Sequence, residues 1–298
     1  MPESRDGRVV VVGDALIDEL QTESGSVDYV GGAALNVAVG LAVLGVPSTL
    51  IAMVGDDADG AAIRAFLRER GVHLVATAAP NGSSRAVSDR TDGEPRYVFN
   101  HAAVHRAIDF DAAARAALDA APLVVVSCYP FDRDDQTDAL LAAVDDPGHR
   151  LVVDPNPRPD LLSDRDAFVR NLDRVAAAAR LLKLGDEDAE LLFGTDLQTA
   201  AHRLLDDGAT FVLATAGRRG ASLLTSDGRV DAPIADLPGP IVDTMGAGDA
   251  TLAAVTDSLL RSDVQGADDA LYWSGALQNA MIIAAATCRA EGATLRLP

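Results

Sequence analysis

The segment 243–249, Asp-Thr-Met-Gly-Ala-Gly-Asp, combines small residues with carboxylates in a spacing that suits phosphoryl transfer. Three small residues stand in a row at the start of a helix predicted over about 247–260: Gly246, Ala247 and Gly248. The first amides of a helix have no carbonyl partner and lie at its positive end, so an anion binds directly on them. Asp249 adds a carboxylate beside that anion, which suits a base that takes the proton of an attacking hydroxyl. The alternative is structural, with Asp243 and Thr244 capping the helix and Asp249 complementing its dipole.

A second candidate, Asn36, interrupts an otherwise apolar helix predicted over 33–44, directly after Gly31 and Gly32. Burying an unpaired amide costs about 1–3 kcal/mol, so this side chain needs a partner. On these residues alone, a backbone group and a ligand hydroxyl satisfy that need equally well.

Two aspartates and one loop follow predicted strands. Asp14 and Asp18 come after the strand at 9–12. Ligand sites in open α/β sheets lie at the carboxyl ends of strands, so both carboxylates are well placed to bind vicinal hydroxyls. Turn aspartates on a surface loop are the alternative in so acidic a chain. The loop 154–159, Asp-Pro-Asn-Pro-Arg-Pro, ends another strand, and its Arg158 would balance phosphate charge.

These residues need a scaffold, and the hydrophobic pattern predicts one of alternating strands and helices. Helices are predicted near 33–44, 58–70, 111–120, 134–145, 165–179, 186–193 and 199–207, with a last helical region over 268–289. Strands are predicted near 9–12, 48–54, 72–76, 122–128, 150–154, 180–184 and 209–215. Such alternation indicates an α/β protein with a parallel, doubly wound sheet.

Two intervals, 16–30 and 83–100, have no helix and are predicted to be extended, with hairpin signals at Asn81-Gly82 and Asp92-Gly93. They are expected to form a small separate sheet that acts as a lid over the ligand site and binds a partner subunit. We find no linker that would divide the chain, so 1–298 is expected to be one domain.

Composition restricts the class of function. The 298 residues are 48% hydrophobic, enough for a sizeable core, and carry a formal net charge of −20. A polynucleotide would be repelled by such a chain, so nucleic acid is not expected as a partner. The chain begins without an apolar signal region and has no apolar run of about 18 residues, which predicts a cytoplasmic protein without membrane contact. His101 and His105 have metal-ligand spacing but no evident third ligand.

The residues above carry a family resemblance that covers nearly the whole chain. The segment 243–249 resembles the second signature of the ribokinase-like (pfkB) sugar kinases, Asp-Thr-x-Gly-Ala-Gly-Asp, at every specified position. The resemblance implies that Asp249 is the catalytic base and that the amides of 246–248 form the anion hole. The segment 31–38 resembles the first signature. The implied fold is a doubly wound, mostly parallel sheet flanked by helices, with a small β-sheet lid.

Further roles follow from the same resemblance. Asp18 is the main sugar ligand with Asp14 nearby, and the Asp-x-Asn-x-Arg pattern at 154–158 is typical of the fructokinase-like branch. The segment 215–220 resembles the Thr-x-Gly-x-x-Gly loop over the ATP phosphates. The implied substrate-binding residues are Asp14, Asp18, Gly31, Gly32, Asn36, Phe99, Asn156 and Arg158. The implied nucleotide-binding residues are Lys183, Thr215, Gly217, Gly220 and Asn279.

One motif departs from the family pattern. Where relatives carry Asn-x-x-Glu to organise magnesium through water, this chain has Gly185 and Asp188. Asp188 is expected to serve Mg²⁺ through water, with weaker affinity than the full motif supports. Asp243 is expected to help hold a monovalent cation such as K⁺, as in several relatives.

The function expected from this resemblance is transfer of the ATP γ-phosphate to a sugar hydroxyl by a kinase that uses ATP, Mg²⁺ and, as in some relatives, K⁺. Fructose is the first choice of substrate, and a homodimer through the lid is expected. The alternatives are 2-keto-3-deoxygluconate, ribose or a nucleoside, and a non-catalytic sugar-sensing homologue. For an acid sugar, Arg96 or Arg106 would bind the carboxylate, whereas the carboxylates of Asp14 and Asp18 would repel it.

Overall fold

The computed structural model describes residues 7–22, 25–89, 96–144, 150–265 and 269–298. Within these ranges the strands are β1 (Val9–Gly13), β2 (Leu16–Thr22), β3 (Gly25–Gly31), β4 (Ser48–Met53), β5 (His73–Thr77), β6 (Ser84–Asp89), β7 (Arg96–Phe99), β8 (Val124–Ser127), β9 (Leu151–Asp154), β10 (Leu181–Gly185), β11 (Phe211–Thr215), β12 (Ala221–Thr225) and β13 (Gly228–Ala232). The helices are α1 (Ala33–Val43), α2 (Ala58–Glu69), α3 (His101–Val104), α4 (Ala112–Asp119), α5 (Asp134–Ala143), α6 (Arg165–Ala176), α7 (Asp186–Phe193), α8 (Leu197–Asp206), α9 (Ala247–Gln265) and α10 (Ala270–Thr287).

Nine of the described strands form one large sheet in the order β13-β12-β11-β10-β9-β8-β1-β4-β5. Every pair from β5 to β11 is parallel, and β12 and β13 add an antiparallel edge. Parallel neighbours require crossover connections, which explains why helices separate most of these strands along the chain. The predicted doubly wound, mostly parallel sheet is therefore confirmed.

The large sheet is buried on both faces because successive side chains enter two different cores. On β1, Val9 and Val11 join a hydrophobic cluster with α1, α9 and α10, whereas Val10 and Val12 join a second cluster with α4, α5, α6 and α8. A strand without a solvent face needs an unbroken apolar run, and β1 supplies it. Helix α9 continues to Gln265, beyond the predicted end near 260.

The intervals 16–30 and 83–100 form a second, small sheet in the order β3-β2-β6-β7. Strand pairing places four side chains in one row across it: Tyr29, Asp18, Ala86 and Phe99. Asn81-Gly82 leads from β5 of the large sheet into β6, so the hairpin predicted at that position is wrong. The other hairpin signal, Asp92-Gly93, lies outside the described residues.

One arginine joins the small sheet to the rest of the molecule. Arg85 on β6 lies 2.9 Å from a carboxylate oxygen of Glu19 on β2 and 2.9 Å from one of Asp28 on β3. Its other terminal nitrogen lies 2.8 Å from Asp59, in the first turn of α2. Three carboxylates on two sheet strands and one helix therefore share a single cation.

The hairpin of β12 and β13 has no counterpart among the predicted elements. Its strands are antiparallel and pair Ser222 with Asp231 and Leu223 with Val230, which extends the sheet beyond the last predicted strand. The four-residue helix α3 was also not predicted, and it stacks the rings of His101 and His105 with centroids 4.0 Å apart. Within the described ranges, no helix combines the length and apolar character needed to cross a membrane.

Candidate active site

The two signature segments meet at one hydrogen bond. Asn36 of α1 donates from Nδ2 to Oδ2 of Asp249 on α9 over 2.8 Å. The two helices approach closely, since a Cβ built on Gly40 of α1 would lie 3.0 Å from Cβ of Ala253 on α9. Asn36 is 8% exposed, and its partner is the predicted base rather than a backbone group. The contact orients the carboxylate of Asp249 and satisfies the buried amide.

The surroundings of Asp249 make its carboxylate a stronger base than an ordinary aspartate. Removal from water raises its pKa to about 7, and repulsion from the carboxylate of Asp154 acts in the same direction. The hydrogen bond from Asn36 and the charges of Lys183 and Arg158 oppose this rise without cancelling it. A group with a pKa near neutrality is suited to general base catalysis at physiological pH.

The first turn of α9 presents free amides next to this carboxylate. The first helical hydrogen bond runs from Ala250 N to Gly246 O over 2.8 Å, so the amides before Ala250 have no partner of that type. Ala247 N reaches Thr244 O only at 3.4 Å. Gly246 has its own structural reason to be glycine: its φ is 75°, and a Cβ there would lie 2.1 Å from Ala293 O.

The predicted capping of α9 takes a different form. Asp243 accepts from Met245 N at 3.0 Å, which closes a turn before the helix and does not cap its first amides. The backbone of Asp243 is held in turn by Cys288, whose carbonyl accepts from Asp243 N at 3.2 Å. The amides at the start of the helix therefore remain available to a ligand.

Lys183, the only lysine of the chain, forms a buried ion pair at the edge of this site. Its Nζ lies 3.0 Å from Oδ1 of Asp154, which is fully buried and also accepts from Ser127 Oγ at 3.3 Å. Burial alone would lower the pKa of Lys183, but the carboxylates of Asp154, Asp188 and Asp249 outweigh it and raise the pKa. A Cβ built on Gly248 would lie 3.5 Å from Lys183 Nζ, so this ammonium lies beside the first turn of α9.

At the sugar end, Asp14 is fastened to the start of α1. Its Oδ1 accepts from Ala34 N at 2.9 Å, and burial raises the pKa of its carboxyl. Gly32 permits the turn with a φ of 114°, where a Cβ would lie 2.9 Å from the carbonyl oxygen of Asp14. Gly31 lies against the second aspartate, since a Cβ there would lie 2.7 Å from Oδ2 of Asp18, a side-chain atom that can move more easily than backbone. The paired glycines therefore lie against both predicted aspartates, Gly32 against the backbone of Asp14 and Gly31 against the carboxylate of Asp18.

The loops after β8 and β9 carry the two non-glycine residues of the described chain with positive φ, Cys128 at 49° and Asn156 at 39°. Such backbone strain concentrates at functional sites. Arg158 follows in the second loop at an exposed position; desolvation of its guanidinium acts to lower its pKa, but the charges of Cys128, Asp249 and Asp14 outweigh it and raise the pKa. The guanidinium of Arg158 is thus held within electrostatic reach of both the sugar end and the base.

Comparison with known proteins identifies the family of the chain. A model of the pfkB family of carbohydrate kinases matches residues 7–298. The chain belongs to the pfkB family. It is therefore a kinase that transfers a phosphoryl group to a sugar hydroxyl.

Two relatives show how far the sequence similarity reaches. The chain is 31% identical to a fructokinase of Rhizobium leguminosarum bv. trifolii, over 84% of this chain and 79% of the relative. It is 28% identical to an aminoimidazole riboside kinase of Salmonella typhimurium, over 98% of this chain and 92% of the relative. These two relatives act on different sugars, so sequence similarity alone leaves the substrate open.

Solved structures agree on the fold. A fructokinase with bound ATP from Xylella fastidiosa matches with a TM-score of 0.80 at 22% identity, over 97% of this chain and 94% of that one. A putative ribokinase II in complex with ATP and Mg²⁺ from Escherichia coli matches with a TM-score of 0.77 at 21% identity, over 96% and 94%. The ribokinase-like fold is therefore confirmed.

The pfkB-type loop at 215–220 connects β11 to the antiparallel β12. Thr215 Oγ1 donates to Leu184 O at 3.4 Å, and Gly217 has a φ of 51°. A Cβ on Gly220 would lie 2.1 Å from Ala232 O, so this glycine is required by the sheet edge whether or not a phosphate lies over the loop. Asn279 lies on an exposed position of α10.

In the motif that departs from the pfkB pattern, the two altered residues, Gly185 and Asp188, hydrogen-bond to each other. Asp188 Oδ2 accepts from Gly185 N at 2.8 Å across the start of α7, and burial raises the pKa of Asp188. No cluster of three or more His, Cys, Asp or Glu side chains able to hold a metal occurs within the described ranges.

Sequence reasoning did not find the Lys183–Asp154 ion pair or the part of Cys128 in the site. Asp154 was noted only as the first residue of the fructokinase-like loop, and Lys183 was assigned to the nucleotide. The available signal was a single lysine in a chain rich in arginine, on a strand otherwise apolar. A lone buried lysine needs a carboxylate as its partner. Which carboxylate this is becomes clear only from the sheet, where β9, which ends at Asp154, lies next to β10, which carries Lys183.

Proposed function

We propose that this pfkB kinase transfers the γ-phosphate of ATP to a hydroxyl of fructose, with Asp249 as the base. The observation that carries the proposal is the hydrogen bond from Asn36 to Asp249 at the start of α9. It holds a carboxylate with a pKa of about 7 beside amides that have no helical partner. A proton acceptor and an oxyanion site in one place are what phosphoryl transfer to a hydroxyl requires.

In the proposed reaction, Asp249 accepts the proton of the sugar hydroxyl while the hydroxyl oxygen bonds to the γ-phosphorus. The bond between that phosphorus and the bridging oxygen of ADP breaks, and the electron pair leaves with ADP. Asn36 holds the carboxylate in position throughout. The amides of 246–248 and the ammonium of Lys183 lie where negative charge on the transferred group needs stabilisation.

The donors of this site fit a magnesium complex of ATP. Lys183, Arg158 and the first-turn amides supply positive charge and hydrogen bonds for phosphate oxygens. When bound with ATP, Mg²⁺ would neutralise phosphate charge, and Asp188, at the start of α7, would hold it through water. Asp243 would hold K⁺. The residues proposed to border the nucleotide are Thr215, Gly217, Gly220 and Asn279.

The proposed sugar site is built for neutral hydroxyl groups. Its residues are Asp14, Asp18, Gly31, Gly32, Asn36, Phe99, Asn156 and Arg158. Asp14 and Asp18 accept hydrogen bonds from hydroxyls and repel an acid sugar. Phe99 stands in the same row of the small sheet as Asp18, two strands away, and offers a half-buried ring to the sugar. Asn100, in the loop after β7, donates to Ser83 O and accepts from Arg85 N, so its side chain holds backbone together.

The base role is tested with Asp249→Asn, which keeps the shape of the side chain. We expect kcat to fall by about 10²–10⁴-fold while calorimetry shows unchanged binding of ATP and sugar. Asp257→Asn is the matched control, since Asp257 is a nearly buried carboxylate on the same helix that pairs with Arg261. Near-normal turnover of Asp249→Asn would exclude the base role.

The substrate is tested with an ADP-coupled assay on fructose, ribose, 2-keto-3-deoxygluconate, aminoimidazole riboside and adenosine. We expect the highest kcat/KM with fructose. A tenfold higher efficiency with any other member of this panel would make the fructose assignment wrong, although the kinase activity would stand. An absence of phosphorylation on every sugar would instead favour a sugar-sensing role.

The small sheet is also proposed as the dimer interface, and the protein is proposed to act in the cytoplasm. Val27 on β3 is 51% exposed and Val98 on β7 is 66% exposed, so the small sheet offers apolar side chains that a second copy would cover. Light scattering on the wild type is expected to give the mass of a dimer, and Val27→Glu to give that of a monomer. A monomeric wild type would contradict the interface.

A further inference from the structure

A cavity opens at the sugar end of the site, where both sheets contribute to its wall. Gly13 and Asp14 line it from the end of β1, Cys128 from the end of β8, and Ser84 from the start of β6. Arg106, in the segment after α3, lines the same cavity. From the sequence, Arg106 is expected only as a ligand for the carboxylate of an acid sugar, not as a ligand of a neutral sugar.

Arg106 has a donor without an acceptor. Its Nε is buried and makes no hydrogen bond, and among the described residues with such an orphaned polar atom it alone carries a positive charge. Its Nη1 reaches only the carbonyl oxygen of Ala103, at 3.4 Å. Burying a charged donor unpaired is costly, so the position indicates an acceptor that a ligand supplies.

The neighbour of Arg106 in this cavity decides the chemistry of that ligand. Arg106, Asp14 and Cys128 line the same cavity, and the charge of Arg106 acts to lower the pKa of both Asp14 and Cys128. Arginine only donates hydrogen bonds and an ionised carboxylate only accepts them, whereas a hydroxyl does both. A carboxylate or phosphate group would satisfy Arg106 but would meet the negative charge of Asp14.

We propose that Arg106 determines sugar specificity by donating to the oxygen of one sugar hydroxyl whose proton is accepted by Asp14. This hydroxyl is distinct from the phosphorylated one, which must contact Asp249. The proposal rests on the proposed function, since it assumes that a neutral sugar binds where this cavity opens. A sugar that lacks this hydroxyl leaves both side chains unpaired and is therefore rejected.

The test compares the wild type with Arg106→Met, which keeps an unbranched apolar stem but removes every donor. D-fructose and its monodeoxy analogues are the probes at saturating ATP and Mg²⁺, and the neutral sugar with the highest kcat/KM in the panel above replaces fructose if fructose is not the substrate. We expect the sugar KM to rise about tenfold or more in Arg106→Met, with kcat and the KM for ATP nearly unchanged. One monodeoxy analogue should react equally with both proteins.

Arg115→Met is the matched control, because Nε of Arg115 donates to Phe110 O at 2.9 Å and the residue lies on α4, outside the cavity. It should leave the sugar KM unchanged, and melting curves should show both variants folded. An unchanged sugar KM in Arg106→Met would overturn the proposal, as would an equal loss on every analogue. A wild-type preference for 2-keto-3-deoxygluconate that Arg106→Met abolishes would overturn the hydroxyl assignment, because it would make Arg106 a carboxylate ligand.

Discussion

The hydrogen bond between Asn36 and Asp249 should be visible in the pH dependence of the reaction. A base must be ionised to act, so kcat/KM for the sugar should fall as the pH drops through the pKa of Asp249, which is about 7. Asn36 favours the ionised form, because its Nδ2 donates to the carboxylate over 2.8 Å. Its removal therefore raises the pKa and moves the acid limb of the profile to higher pH.

The size of this shift follows from the strength of a hydrogen bond to a charged group. Such a bond contributes about 1.5–3 kcal/mol, and one pKa unit corresponds to about 1.4 kcal/mol. The lower figure, about 1.5 kcal/mol, corresponds to about one pKa unit. We expect Asn36→Leu to move the acid limb by about one unit, from near pH 7 to near pH 8.

The assay is kcat/KM for the sugar from about pH 5 to about pH 9.5 at saturating ATP and Mg²⁺, which reports the pKa of the base before the sugar binds. Asn171→Leu is the matched control. Asn171 is 1% exposed, and its Nδ2 donates to Oδ1 of Asp134 over 2.8 Å, away from the site. This control should lower stability without moving the limb. A limb that stays in place in Asn36→Leu, or moves equally in Asn171→Leu, would refute the reasoning.

Three further predictions concern the surroundings of the site. Lys183→Met should lower the free energy of unfolding by about 3–5 kcal/mol in urea titrations, because it leaves the buried carboxylate of Asp154 unpaired. Adding Asp154→Asn should recover part of this loss, whereas additive losses in the double mutant would contradict the ion pair. Gly185→Asn should lower the Mg²⁺ concentration that gives half the maximal rate, since it restores the amide of the pfkB motif beside Asp188. An unchanged Mg²⁺ titration would show that this motif does not limit the affinity for Mg²⁺. Arg85→Met should lower the free energy of unfolding by on the order of 1 kcal/mol at low salt, because the three carboxylates repel one another once the arginine is removed. High salt screens this repulsion, so the loss should be smaller there, and a melting temperature difference that does not depend on salt would argue against an electrostatic origin.

Much of the fold could be predicted from the sequence because the signals are local. The unbroken valines of β1 indicate a strand buried on both faces, and the alternation of such runs with amphipathic segments predicts a parallel sheet. The helices over 58–70 and 186–193 were placed within a residue of their bounds. The hairpin of β12 and β13 was missed because it follows a glycine loop that also suits a phosphate site, and its strands have no helix between them.

The candidate site was predictable in its residue types but not in its contacts. Asn36 and Asp249 were both singled out, yet nothing in the chain indicates that residues 213 positions apart hydrogen-bond to each other. That contact depends on the packing of α1 against α9, which places Gly40 on Ala253. The same limit applies to Gly246. A Cβ at this position would clash with the carbonyl oxygen of Ala293, so the fold itself requires a glycine there, whether or not an anion binds.

The sequence by itself therefore determined the family signatures, most of the order of strands and helices, and the acidic, lysine-poor surface chemistry. Only the tertiary structure decided which charges come together: Lys183 pairs with Asp154, and Arg106 lines the same cavity as Asp14. The physical reason is range. Propensity, periodicity and capping act over a few residues, whereas the pKa of Asp249 near 7 arises from desolvation and charges brought together by strands and helices far apart in the chain.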